Sequence, residues 1–218
     1  MYPAFERDAI LLVIDLIHAI NEHNDEKVEA IILAGADVNR RTHLLEPPFE
    51  PYGNLWTLGE FFPLYYAVHA HNEHAVAFLL SRGAVLSSDQ MIWQKTVTID
   101  AADGPRIFQL LFNHYLNTFD SVGMETQSSK AMIAWAHLDA AAPDARRDPL
   151  LFQAIKDGTL EMLETMLRTG ANIDIRKYTN KMHLLQYCLQ GLSCQVKNGV
   201  NNPRIPWIKS TVGICDLL

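Results

Sequence analysis

The stretch Pro63–Ala84, PLYYAVHAHNEHAVAFLLSRGA, decides the fold. It holds three histidines, His69, His71 and His74, within six positions, and it ends in Gly-Ala. Histidines this close together raise the question of a zinc site. Such a site needs three or four converging ligands and partners that orient them. The spacing H-x-H-x-x-H across a turn does not place all three on one helix face, so they read as turn and surface residues. The turn has no glycine, and Asn72 is expected to supply its conformation.

Outward from this stretch, the same pattern recurs. VAFLLSRGAVL (Val76–Leu86) resembles VEAIILAGADVN (Val28–Asn39) and LETMLRTGANID (Leu163–Asp174). Each is an apolar helical face that ends in Gly-Ala, and a glycine there closes a helix by adopting a left-handed backbone. A second apolar segment with Leu-x-x-Ala precedes each one: Leu16–Ala19, Leu64–Ala67 and Leu151–Ala154. The small alanine lets two helices approach closely. Two short helices and a Gly-Ala stop make one unit that cannot bury its own apolar face, so units must stack.

This pattern resembles the ankyrin repeat. Pro63, Leu64 and Ala67 match the family's Pro-Leu and first alanine, and GADVN (Gly35–Asn39) matches its hairpin opening. DPLLFQAIKDGTLEMLETMLRTGANID (Asp148–Asp174) matches with Gly158 at the inter-helix turn and Gly170 at the stop. Ankyrin units recur at about 33 residues. Gly35 to Gly83 is 48 residues, which implies an insertion. A degenerate unit at Ile99–Asn117 puts Tyr115 at the glycine position, 32 residues after Gly83, and the 55 residues on to Gly170 imply a second insertion. A partial fifth unit starts near His183 and stops at Leu218 without a Gly-Ala. The expected fold is therefore all-α, an ankyrin-like helical repeat solenoid in a single domain. Its units are expected near 8–39, 62–86, 95–117 and 149–174, with a partial one at 183–218. Two long insertions fall near 40–61 and 118–148.

The first insertion holds three prolines and the aromatics Phe49, Tyr52 and Trp56. It reads either as a binding finger, since aromatic anchors dominate interfaces, or as a cover folded back over the groove. The second contains SSKAMIAWAHLDAAA (Ser128–Ala142), an extra helix with a serine cap and with Trp135 in the core.

The formal net charge of −7 disfavours general nucleic-acid binding. Residues 1–60 hold eleven acids against four bases, residues 61–139 seven against four, and residues 140–218 seven against ten. From Ile175 to Cys215 there are six bases and no acid, a stretch that reads as a solvated face or as a site for an acidic partner. Cys188, Cys194 and Cys215 form neither a disulfide framework nor a CxxC pair, which fits a reducing, intracellular compartment, cytoplasmic or nuclear. The apolar run Ala9–Ile20 follows Glu6, Arg7 and Asp8 and contains Asp15 and His18, so it reads as a buried helix rather than a signal peptide.

The sequence contains no G-x-S-x-G, Walker A, Rossmann or H-E-x-x-H motif, and no cofactor is expected. The resemblance implies a protein–protein interaction module that recognises another protein through hairpin tips and the faces of first helices. By position the expected contacts are Arg40, Arg41 and His43, with Trp56 in the finger, then His69, Ser88 and Asp89 in unit two. Lys156, Asp157, Arg176 and Tyr178 follow in unit four. Two alternatives stand beside this reading. The insertions could close over the groove as a small-molecule pocket or an unusual enzyme site, or the chain could be a fragment of a larger ankyrin adaptor. Membrane insertion is not expected, and an uncapped C-terminal end would favour self-association.

Overall fold

The structure, a computed structural model of the chain, describes residues 4–41, 62–86, 90–97, 103–118, 126–140, 149–157 and 160–174, with the single positions 183 and 186. The chain divides into two compact units, Met1–Ser87 and Ser88–Leu218. The fold is all-α: every regular element among the described residues is a helix. None of these helices is long and apolar enough to cross a membrane.

The first unit contains α1 (Ala4–Asn21), α2 (Asp25–Leu33), α3 (Pro63–His69) and α4 (Glu73–Ser81). The hairpins α1–α2 and α3–α4 stack, first helix on first and second on second. Leu16, Ile17, Ala19, Ile20 and Val28 are fully buried, as are Leu64, Ala67, Val68, Ala75, Val76 and Leu79. Both alanines of the Leu-x-x-Ala segments thus lie in the core. Removing such apolar surface from water is the main force that makes two short hairpins stable together.

The Gly-Ala stops form the same closure three times. Gly35, Gly83 and Gly170 take φ of +101°, +82° and +92°. The amides of Ala36, Ala84 and Ala171 donate back to the carbonyls of Ile31, Leu79 and Met166 at 3.2, 3.0 and 3.1 Å. This six-to-one bond satisfies carbonyls that a helix end would leave bare.

The first helices of this unit close the same way, but with histidine in the left-handed position. His23 has φ +52° and His71 φ +58°. The following amides of Asn24 and Asn72 donate to the carbonyls of Ala19 and Ala67, both at 3.0 Å. The expectation that Asn72 makes the turn is therefore corrected: His71 turns the chain, and Asn72 caps α4. Its Oδ1 accepts from the Ala75 amide at 2.9 Å, as Asn24 Oδ1 accepts from the Lys27 amide at 3.1 Å. An asparagine cap satisfies an amide that has no intrahelical partner.

The apolar run of α1 is only partly buried. Val13, Leu16, Ile17 and Ile20 face its neighbours α2 and α3, while Leu11 is 51% exposed. The departure is a matter of period: a helix packed on one side leaves the opposite positions in solvent.

The second unit contains α5 (Gln90–Val97), α6 (Asp103–Asn117), α7 (Gln127–Ala140), α8 (Leu150–Asp157) and α9 (Leu160–Arg168). Here α5–α6 and α8–α9 are the hairpins, with α5 against α8 and α6 against α9. Helix α7 packs on α6 without interrupting that stack. Its cap is Thr126 rather than Ser128: the Ser129 amide donates to Thr126 Oγ1 at 3.2 Å. Trp135 is buried as expected, packs against both rings of the stacked pair Phe108 and Phe112 at 5.9 and 5.4 Å, and donates from Nε1 to the Thr169 carbonyl at 3.1 Å. Tyr115 does not end a helix. It lies inside α6, buried against Trp93 at 5.7 Å, and α6 runs on to Asn117 because nothing at 115 tolerates a left-handed backbone.

Candidate functional site

The sequence directs attention to the tip of the first hairpin and the first helix of the second. After the Gly35 stop, the Asn39 amide donates to Asp37 Oδ1 at 2.9 Å and the Arg40 amide to the Asp37 carbonyl at 3.2 Å. This tight turn brings Arg40 and Arg41 out together, Arg40 half-buried and Arg41 exposed. The Arg41 guanidinium lies over the Phe62 ring, 4.8 Å from its centroid. Such a pair contributes about 0.5–1 kcal/mol at an exposed site. It also turns the planar fork of Arg41 into a fixed donor surface next to α3.

Phe62 is the residue before α3, and Pro63 at the first helical position sets the backbone for helix entry without a lost hydrogen bond. His69 sits at the other end of α3, about 10 Å away along the axis. It is half-buried, with its ring 6.2 Å from Tyr65. Burial, and secondarily the neighbouring Tyr66, push the Tyr65 phenol above its ordinary range, so it is a neutral donor at physiological pH. Arg41 and Phe62 at one end of α3 and Tyr65 and His69 toward the other make a surface of cationic, aromatic and hydrogen-bonding groups.

The remaining expected contacts are distributed as follows. His43, Trp56, Ser88, Asp89, Arg176 and Tyr178 lie outside the described residues, as does any pocket that the first insertion would close. Lys156 and Asp157 fall in the last turn of α8, and their side chains lie outside the described residues.

Sequence reasoning missed the polar side chains that lock one hairpin to the next. Asn39 grips the second stop with both ends of its amide: Nδ2 donates to the Gly83 carbonyl at 2.9 Å, and Oδ1 accepts from the Val85 amide at 2.7 Å. Asn72 Nδ2 donates to the Ile20 carbonyl and to Asp25 Oδ1, both at 3.3 Å. His74 Nε2 meets Glu29 Oε1 at 2.8 Å. The available signal was a second repeat inside the first, His-Asn-Asp at 23–25 and His-Asn-Glu at 71–73, in the 48-residue register of the glycines.

The outer face of α4 carries a ladder that begins at that pair. The His74 ring stacks on Phe78 at 6.4 Å with an 8° tilt, and the Arg82 guanidinium lies 4.9 Å over Phe78. His74 is thus occupied by a carboxylate and an aromatic ring. Among the described residues no three His, Cys, Asp or Glu side chains converge as a metal site.

No protein-family model matches the sequence, and no curated protein matches it. Among solved structures, the human ASB11 ankyrin repeat domain matches at 11% identity and a TM-score of 0.32. The match covers 79% of this chain and 90% of that one.

Proposed function

We propose that the chain is a protein-interaction module of ankyrin-like units, four complete and a fifth partial, that holds another protein on its hairpin tips and first-helix faces. The observation that carries this reading is the register lock of the first unit. Asn39 and Asn72 fix successive hairpins so that equivalent positions fall in a row. A row of fixed side chains is a recognition surface with little ordering cost on binding. At its described part lie Arg40, Arg41 and His69, beside Phe62 and Tyr65. The proposed contacts extend to His43, Trp56, Ser88, Asp89, Lys156, Asp157, Arg176 and Tyr178.

The chemistry of the described part favours a partner that offers carboxylates to the two arginines and an apolar or aromatic group to Tyr65. The test compares affinity capture by the intact chain with capture by an Arg40/Arg41/Trp56/Arg176 quadruple alanine variant of unchanged helicity. The captured protein is then purified and titrated against both. A partner whose affinity falls at least tenfold with the variant supports the reading. Identical capture and affinity for both chains would sink it.

A further inference from the structure

The α1 face turned away from the core carries Asp8, Leu11, Asp15 and His18, and Glu22, ion-paired with Lys27 at 3.8 Å, continues it just past the helix; all are exposed. Their spacing alternates three and four residues, so they form one straight seam about 21 Å long. The acids recur every seventh residue, and Leu11 stands exposed between the first two. Helix α1 packs on α2 and α3 through its other side. A large apolar residue held in solvent between carboxylates is the composition of a docking strip for a basic, partly apolar segment.

The same chain carries such a segment. Ile175–Cys215 contains six bases, no acid, and apolar residues throughout. We propose that the α1 seam docks this basic stretch of a second copy, so that copies associate head to tail. The charge imbalance between the ends of the sequence favours this pairing over tail-to-tail or seam-to-seam contacts, which would oppose like charges. The contact joins two different surfaces, so it can pair two copies reciprocally or continue from copy to copy. It uses none of the hairpin-tip contacts of the proposed partner site apart from the stretch's own Arg176 and Tyr178, and it does not depend on that reading.

The experiment is sedimentation velocity on the purified full chain, from about 5 to about 200 µM, at low and at high ionic strength. The 24.6 kDa chain is expected to gain mass with concentration at low salt and to return to monomer at high salt. An Asp8→Lys/Asp15→Lys variant weakens this association about tenfold or more, and so does a Lys197→Glu/Arg204→Glu/Lys209→Glu variant. Arg176 is left intact in both. Mixing the two variants restores association, because the intact stretch of the seam variant fits the intact seam of the other, and the two reversed surfaces fit each other. Circular dichroism verifies that each is folded. A wild-type chain that stays monomeric across the series overturns the proposal, including the case where the stretch covers the seam of its own copy. So does association that survives seam reversal, or that mixing fails to restore.

Discussion

Replacing Asn72 by alanine tests whether the two hairpins of the first unit are held by polar contacts as well as by apolar burial. The side chain is 3% exposed and does two things. Its Oδ1 caps α4 through the Ala75 amide, a role worth about 1 kcal/mol. Its Nδ2 reaches the Ile20 carbonyl and the Asp25 carboxylate across the hairpin interface. Ile20 keeps a second donor, the His23 amide at 3.1 Å, so the carbonyl is not stripped bare; this interaction is worth about 1 kcal/mol. The expected loss for Asn72→Ala is about 2 kcal/mol. Asn24 is the internal control: it caps α2 in the same way but is exposed, so Asn24→Ala is expected to cost about 0.5–1 kcal/mol. Asn72→Asp keeps the cap acceptor but turns a carboxylate toward Asp25, and is expected to be at least as damaging as alanine. The assay is urea unfolding by circular dichroism, with amide exchange at Val28 and Val76 reporting the first unit by itself. Equal losses for Asn24→Ala and Asn72→Ala, or a neutral Asn72→Asp, would refute the inter-hairpin role.

Further outcomes follow from the same geometry. Gly83→Ala meets no atom within 4 Å, so its cost is backbone strain alone at φ +82°, about 1–2 kcal/mol by urea unfolding. His23→Gly relieves the same strain at an exposed position and is expected to stabilise the first unit by up to about 1 kcal/mol, read by exchange at Val28. Trp135→Ala empties a site against the Phe108 and Phe112 rings and removes the bond to Thr169, for a loss of about 3–5 kcal/mol in the second unit. Burial raises the Asp139 carboxyl from its ordinary range to about 7. Below the unfolded pKa the carboxyl is neutral in both states. As pH rises through about 4 to 7, only the unfolded chain releases the proton, and the second unit loses stability. Asp139→Asn should flatten that slope in melts across pH 4 to 8.

Residues whose backbone or period is decisive by itself were legible in the sequence. The three Gly-Ala stops announced themselves because few residues accept a left-handed backbone, and the structure closes all three with the same bond. His23 and His71 adopt that backbone without being glycine, so the turn before α4 was misassigned to Asn72 and the one at His23 carried no signal of its own. Tyr115 was placed at a stop by counting alone, and the count failed because a buried tyrosine extends a helix rather than ending it. The place of Arg40 and Arg41 in the fold was legible, but their contacts were not. Arg40 and Arg41 were found at a tip, yet the Phe62 ring under Arg41 lies across the insertion. Asn39, Asn72 and Glu29 act on groups 44 to 52 residues away in sequence, and no local pattern carries such a convergence.

The two amide bonds of Asn39 to Gly83 and Val85, together with Arg41 over Phe62, have a consequence for how this chain can change. The residues on either side of positions 42–61 are fastened to each other and to the hairpins by contacts of their own. Substitution, exchange or lengthening of the sequence between them is expected to leave these anchor contacts in place. Each doubling of its length adds only about 0.6 kcal/mol of closure entropy. The junction works as a socket for interchangeable inserts, and it is the place where variation between lineages, or a grafted peptide in the laboratory, is expected to be tolerated best.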